Sequence, residues 1–210
     1  MDMKISVLVS SNEQYEIVKK YPVDAIYTSN YAIAMANPSV YYQTPKYPCM
    51  KKMPHRLLCG DVGWFMDQEE HTIVTDYNLN IANHFSIEQL LKRGATKITP
   101  SLECSIHDLE KLSSYPLEVL IYGHVVVMTL KSHPLFKENG YELEDYQHRR
   151  WKALVDENEV VSLLSAEPIN KLNELEEYQR IGIRSFRLDF TIETKEQVKK
   201  IMESVMGRNT

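Results

Sequence analysis

Cysteine is scarce in this sequence: there are three among 210 residues, Cys49, Cys59 and Cys104. An odd, widely spaced set with no CxxC pair argues against a disulfide framework. It also falls one short of the usual four-cysteine iron–sulfur set, whose fourth ligand would have to come from elsewhere. Long apolar runs are lacking too, and no stretch approaches the roughly 20 apolar residues that cross a bilayer. Residues 1–11 hold one lysine and a short apolar run, then turn polar at Asn12 and Glu13. They lack the long apolar centre and small-residue cleavage site of a secretory signal, so a soluble, cytoplasmic protein is expected. Strong charge of one sign is absent: the net charge is -5 and the pI is near 5.8. No general attraction to nucleic acid or an anionic membrane follows from that, so RNA is not a favoured partner. A basic patch would have to be local, as around Arg149, Arg150 and Lys152. There is no HExxH, GxSxG or P-loop, no internal repeat and no low-complexity tract.

What is present is the material of one sizeable core, with 43% hydrophobic and 25% charged residues. Short apolar runs alternate with helical patterns. Residues 5–9 (ISVLV) read as a strand covered on both faces, and Asn12 as the N-cap of a helix over 13–20. Further strands are expected at 25–27, 56–59, 72–75, 97–99, 117–122 and 185–190. Ser86 with Gln89 reads as a capping box for a helix ending at Gly94. Ser105 and Asp108 open another helix, 171–179 form a third, and Thr194 caps the last, 195–206. Between 139 and 170 the rhythm changes, with 154–157 and 160–164 reading as a hairpin. Residues 38–54, rich in proline and tyrosine, read as one long loop and a candidate contact surface through Tyr41, Tyr42 and Tyr47. Strands alternating with helices indicate an α/β fold with a parallel sheet. The count is short of a full barrel of typical length. The expectation is a single domain, a small or incomplete TIM-like (β/α) barrel with a β-hairpin insertion at about 139–170.

Four stretches carry a resemblance. They are 72–83 (TIVTDYNLNIAN), 94–104 (GATKITPSLEC), 116–128 (PLEVLIYGHVVVM) and 181–191 (IGIRSFRLDFT). In order and approximate spacing they resemble the C-terminal half of the collagenase-like U-thirty-two peptidase family. The resemblance implies peptidase activity, assigned to some members. Other members support hydroxylation of RNA bases or of a quinone ring with an iron–sulfur cluster. Those members carry cysteines just after the Tyr-Gly element, where this chain reads TLKSHPLF at 129–136. His133 stands at the expected cysteine position and no cysteine follows, so no cofactor is expected here. Three readings result: a hydrolytic domain acting on a peptide or other small substrate; a non-catalytic binding or scaffold domain that pairs with a partner subunit or with a missing N-terminal half; and one part of a hydroxylating system.

In a parallel β/α barrel the working residues lie just past the carboxyl ends of the strands. That rule selects Ser10, Ser11, Thr28, Asn30, Asp76, Asn80, Ser101, Glu103, His124, Arg187 and Asp189. Glu103, His124 and Asp76 form the expected catalytic set. Glu103 suits a general base or metal ligand, or equally a first-turn residue favoured by the helix dipole. His124 beside Gly123 suits proton transfer near neutral pH, or a half-buried histidine bonded to backbone. Asp76 and Asn80 suit substrate hydrogen bonding or turn formation. Asn80, Ser101, Arg187 and Asp189 form the expected substrate-binding set. Arg187 and Asp189 alternate with Phe186, Leu188 and Phe190, so they share a strand face as an anion site or an internal ion pair, with Glu118 a candidate third member. Two partial metal pairs are seen, His55 with Cys59 and Cys104 with His107. Cys104 with His124 is a conceivable nucleophile and base.

Overall fold

The computed structural model describes residues 3–46, 52–65, 71–131, 141–156 and 159–207. The strands, in chain order, are β1 (Lys4–Val9), β2 (Ala25–Thr28), β3 (Tyr41–Gln43), β4 (Arg56–Cys59), β5 (Thr72–Thr75), β6 (Ala95–Lys97), β7 (Glu118–Gly123), β8 (Val126–Lys131), β9 (Tyr141–Glu144), β10 (Arg150–Val155), β11 (Val160–Leu164), β12 (Ile169–Asn170) and β13 (Ser185–Phe190). The helices are α1 (Asn12–Val18), α2 (Tyr31–Ala36), α3 (His84–Lys92), α4 (Ile106–Leu112), α5 (Leu175–Arg180) and α6 (Lys195–Met206). Contacts divide the chain into two units, 1–121 with 171–210, and 122–170.

The first unit is mixed α/β, built on a mostly parallel sheet. Its strands follow the order β7-β13-β1-β2-β3-β4-β5-β6. The pairings from β13 through β1 to β6 are all parallel. Its strands are the near-continuous apolar runs that a sheet buried on both faces requires; in β1 every residue but Lys4 is buried. A parallel bridge between Ile98 and Leu117 carries hydrogen bonding from the β6 end of this order back to β7. In it the Ile98 N–H donates to Pro116 O at 2.9 Å and the Glu118 N–H to Ile98 O at 2.8 Å.

The sheet is strongly curled. In a flat sheet neighbouring strands lie about 4.8 Å apart, so strands several places apart in the order cannot touch. Yet the Tyr27 hydroxyl of β2 donates to Glu118 of β7 at 2.8 Å. Arg187 of β13 likewise reaches Asp76, just past β5, at 2.7 Å. Curling turns one face into an interior, where Leu8, Tyr27, Leu58 and Val74 pack with Ala25 and Tyr41.

Local chemistry explains the helix starts. Ser11 with Gln14, Ser105 with Asp108, and Thr194 with Gln197 are full capping boxes. The α1 cap is Ser11 rather than Asn12. For α3 the cap is Asn83, whose side chain accepts from the Ser86 N–H at 3.0 Å, so Ser86 lies in the first turn. Gly94 ends α3 at φ 90° and Gly182 ends α5 at φ 99°, conformations that an L side chain resists.

The long loop expected over 38–54 is interrupted by β3. Tyr42 is buried at 6% exposure, and Tyr41 packs edge-on against Tyr27 at 5.4 Å. Those two tyrosines are therefore interior or half-buried groups and not an exposed contact patch; Tyr47 lies outside the described residues, as do Cys49 and His133.

The second unit carries an antiparallel sheet of order β8-β11-β10-β9. The expected hairpin is β10–β11, closed by Asp156, whose carboxylate accepts from the Val160 N–H at 2.9 Å; Glu157 and Asn158 lie outside the described residues. The register places Met128, Leu130, Tyr141, Leu143, Trp151, Ala153, Val155, Val161 and Leu163 on one face and mostly polar groups on the other. The two residues of β12 pair antiparallel with the last two of β7. Among the described residues no helix is long and apolar enough to cross a membrane.

Candidate functional site

The alternation FRLDF in β13 decides the geometry. Ser185, Arg187 and Asp189 share one strand face, and all three are buried, Arg187 at 0% exposure and Asp189 at 4%. A guanidinium taken out of water must find anions. Arg187 Nη2 donates to Asp76 Oδ1 at 2.7 Å and to Asp189 Oδ2 at 3.1 Å, and Nη1 donates to Thr99 Oγ1 at 3.4 Å. Its Nε stands 2.9 Å from Asp189 Oδ1. The N–H does not point along that line, so the contact is Coulombic and both atoms are left without a hydrogen bond. The rings of Tyr77 and Tyr27 flank the guanidinium at 5.6 Å and 5.8 Å.

Asp76 is held from several sides. The Tyr77 N–H donates to Oδ1 at 2.8 Å, Gln43 Nε2 to Oδ2 at 2.9 Å, and Asn78 Nδ2 to Oδ2 at 3.5 Å. Its own N–H donates to Cys59 O at 2.7 Å, which ties the turn to the end of β4. The cluster therefore gathers the carboxyl ends of β3, β5 and β13 and the residue after Ile98. Burial pushes the Asp189 carboxyl up to about 7 against the pull of Arg187. Burial also opposes the Arg187 cation, but Asp189, Asp76 and Glu118 more than offset it and keep it protonated.

Toward the amino end of the same strands a second polar cluster surrounds Glu118, at 0% exposure. Its two oxygens accept from the Tyr27 hydroxyl at 3.1 and 2.8 Å, from Lys97 Nζ at 2.8 Å and from Ser185 Oγ at 3.4 Å. Burial first and Glu118 second hold the Tyr27 phenol well above its ordinary range. Glu118 thus makes its hydrogen bonds with Lys97, Tyr27 and Ser185, and acts on Arg187 only through the electrostatic field.

The other expected residues are distributed differently. Glu103 is exposed, in the turn after Ser101. Ser101 is buried and its Oγ accepts from the Glu103 N–H at 3.3 Å, which makes it a turn former. Asn80 is exposed and left-handed, at φ 50°, and ends a short 3-10 turn. His124 belongs to the second unit, where Nδ1 lies 2.7 Å from Ser165 O. A carbonyl only accepts, so Nδ1 carries a proton and donates to it. Thr28 donates to Val9 O at 2.8 Å, while Asn30 and Ser11 cap helices. The partial metal pairs dissolve. His55 precedes β4 and Cys59 is its last residue, so the length of the strand separates them, and His107 faces Glu110 at 3.6 Å. Among the described residues no group of three potential ligands gathers. Burial, reinforced by Asp108, raises the Cys104 thiol, and burial pushes Cys59 up to about 12, so neither is a ready thiolate.

Gln43, Thr99 and Lys97 were missed. Gln43 sat inside the presumed loop. Lys97 and Thr99 alternate about Ile98, a period-2 signal that marks a polar face.

Compared with known proteins, the chain matches no family model, no curated protein and no solved structure.

Proposed function

We propose that this chain is a TIM-like β/α-barrel domain of the U-thirty-two type that hydrolyses peptides in the cytoplasm, with Asp76, Arg187 and Asp189 as its polar centre. One observation carries the reading. Three charged side chains, each no more than 4% exposed, meet at or near the carboxyl ends of parallel strands, where barrel enzymes keep their working groups. The bridge from β6 to β7 supports the barrel reading, because it links the two ends of a run of parallel strands. The four sequence stretches that resemble the family supply the peptide. Hydrolysis adds water across the amide: oxygen joins the carbonyl carbon, the C–N bond breaks, and the leaving nitrogen takes a proton. Carboxyl groups held beside a fixed cation suit that proton traffic. Glu103 and Asn80, exposed on loops that follow β6 and β5, suit substrate contact.

The test is cleavage of collagen-derived peptides by the purified full chain. Asp76→Asn should lower kcat by about 100-fold or more, while Glu103→Gln should mainly raise KM. Absence of cleavage by the wild type under any condition would remove the hydrolytic reading. A second reading, a non-catalytic binding domain, is favoured by the apolar face of the β8–β11 sheet, where Met128, Tyr141 and Leu143 are 51%, 43% and 42% exposed.

A further inference from the structure

Two carboxylates share one guanidinium nitrogen, but their surroundings differ. Four donors converge on Asp76: the Tyr77 N–H, Gln43 Nε2, Asn78 Nδ2 and Arg187 Nη2. Donors aimed at a carboxylate favour its anionic form. Asp189 receives one hydrogen bond, from Arg187 Nη2 at 3.1 Å, and its buried Oδ1 has none. The pair is also unequally supplied with cations. Lys97 answers Glu118 at 2.8 Å, and Lys46 acts electrostatically on Asp76, which leaves Asp189 to share with Asp76 the one cation that touches it, Arg187. With both aspartates ionised, the buried Asp189 carboxylate would have only a shared cation and one hydrogen bond, and a proton on it removes that cost. The carboxyl with the fewest donors takes the proton.

We propose that Asp189 is the proton-exchanging carboxyl of this centre, that Asp76 is its fixed anion, and that Arg187 couples the two. The assignment deepens the reading of the cluster as the working site and rests on it. It moves the acid–base role from Glu103 and His124 to a residue that the sequence pattern marks only as a substrate or ion-pair group. Pairs of titratable groups whose environments drive them apart are a common acid–base arrangement. The titratable and charged groups around Asp189 are Arg187 on its own strand, Asp76 and Tyr77 at the end of β5, Glu118 of β7 with Lys97 of β6, and Tyr27 of β2, with Lys46 after β3 and Cys59 of β4 acting on the Asp76 side; β1 alongside contributes Ser6 and Leu8, neither of which titrates. An Asp189 that exchanges its proton near neutral pH matches its burial, which places it at about 7.

The experiment follows the side-chain carboxyl carbons of the uniformly 13C-labelled full chain by NMR between pH 4 and pH 9. One aspartate should titrate near 7, and that resonance should be missing from Asp189→Asn. In Asp76→Asn it should persist with a lower midpoint, because the neighbouring negative charge that raises it is gone. Wild-type protein in which every aspartate titrates below pH 5 would overturn the assignment. So would a near-neutral titration that survives in Asp189→Asn or vanishes in Asp76→Asn. If Asp189→Asn does not fold, the wild-type titration and its shift in Asp76→Asn decide the matter alone. The carboxyl titration without peptide cleavage would sink hydrolysis and leave this assignment standing. Cleavage without the titration would do the reverse.

Discussion

Replacing Arg187 with methionine is the sharpest perturbation of the interior. The side chain is fully buried, and it holds Asp76 and Asp189 at 2.7 and 3.1 Å. Methionine fills most of the volume but supplies no charge, so two carboxylates lose their counter-ion. Removing one partner of a buried ion pair costs about 3–5 kcal/mol, a large share of a stability of about 5–15 kcal/mol. The loss must depend on pH, because a protonated carboxyl does not need the cation. Each carboxyl that must bind a proton in the folded state adds a slope of at most ~1.4 kcal/mol per pH unit. Urea unfolding of Arg187→Met should therefore show a smaller deficit at pH 5 than at pH 8, and Arg187→Met with Asp189→Asn should recover part of it. A loss below about 1 kcal/mol that is equal at both pH values would refute the buried-charge argument.

Further outcomes follow from the same contacts. In the folded state the Asp189 carboxyl sits at about 7 against an ordinary 3.8, so the native protein binds the extra proton between those values. Stability should fall as pH rises through that window, and Asp189→Asn should flatten the slope in denaturant titrations. Tyr27→Phe removes the hydroxyl that donates to Glu118 at 2.8 Å and should cost about 1.5–3 kcal/mol by chemical unfolding, the range for a hydrogen bond to a charged group. Cys59, buried with its thiol pushed up to about 12, should remain unlabelled in native protein treated with a maleimide and react on denaturation, as read by mass spectrometry. Gly182→Ala should cost about 1 kcal/mol or more in thermal or urea unfolding, because φ is 99° there.

Much of the scaffold was legible in the sequence, because apolar runs and cap residues are local signals. Residues 5–9, 72–75 and 185–190 lie in strands, and Ser105 and Thr194 cap helices as read. What escaped was short or non-local. The three residues of β3 sit between prolines and look like loop, yet parallel neighbours on both sides make them a strand. Asn83 and Ser86 are rival caps three residues apart, and the chain uses the first. The ion pair of Arg187 with Asp189 was readable from alternation alone. The bond to Asp76 was not, because it spans 111 positions and exists only once the sheet has curled. For the same reason Gln43 and Thr99 escaped: their role comes from which strands meet across the interior, and no local pattern encodes that. Glu103 and His124 earned notice from their places beside strand ends, whereas the structure leaves one exposed and puts the other in the second unit.

The central claim is that the Asp76–Arg187–Asp189 cluster is where this protein meets its substrate. The most direct measurement is a titration of 15N-labelled full chain with a collagen-derived peptide whose amide bonds are reduced, followed by amide shifts. The account predicts changes concentrated at Asp76, Asn80, Thr99 and Asp189, and their loss in Asp76→Asn. Shifts confined to the β8–β11 sheet, with those four residues silent, would contradict it.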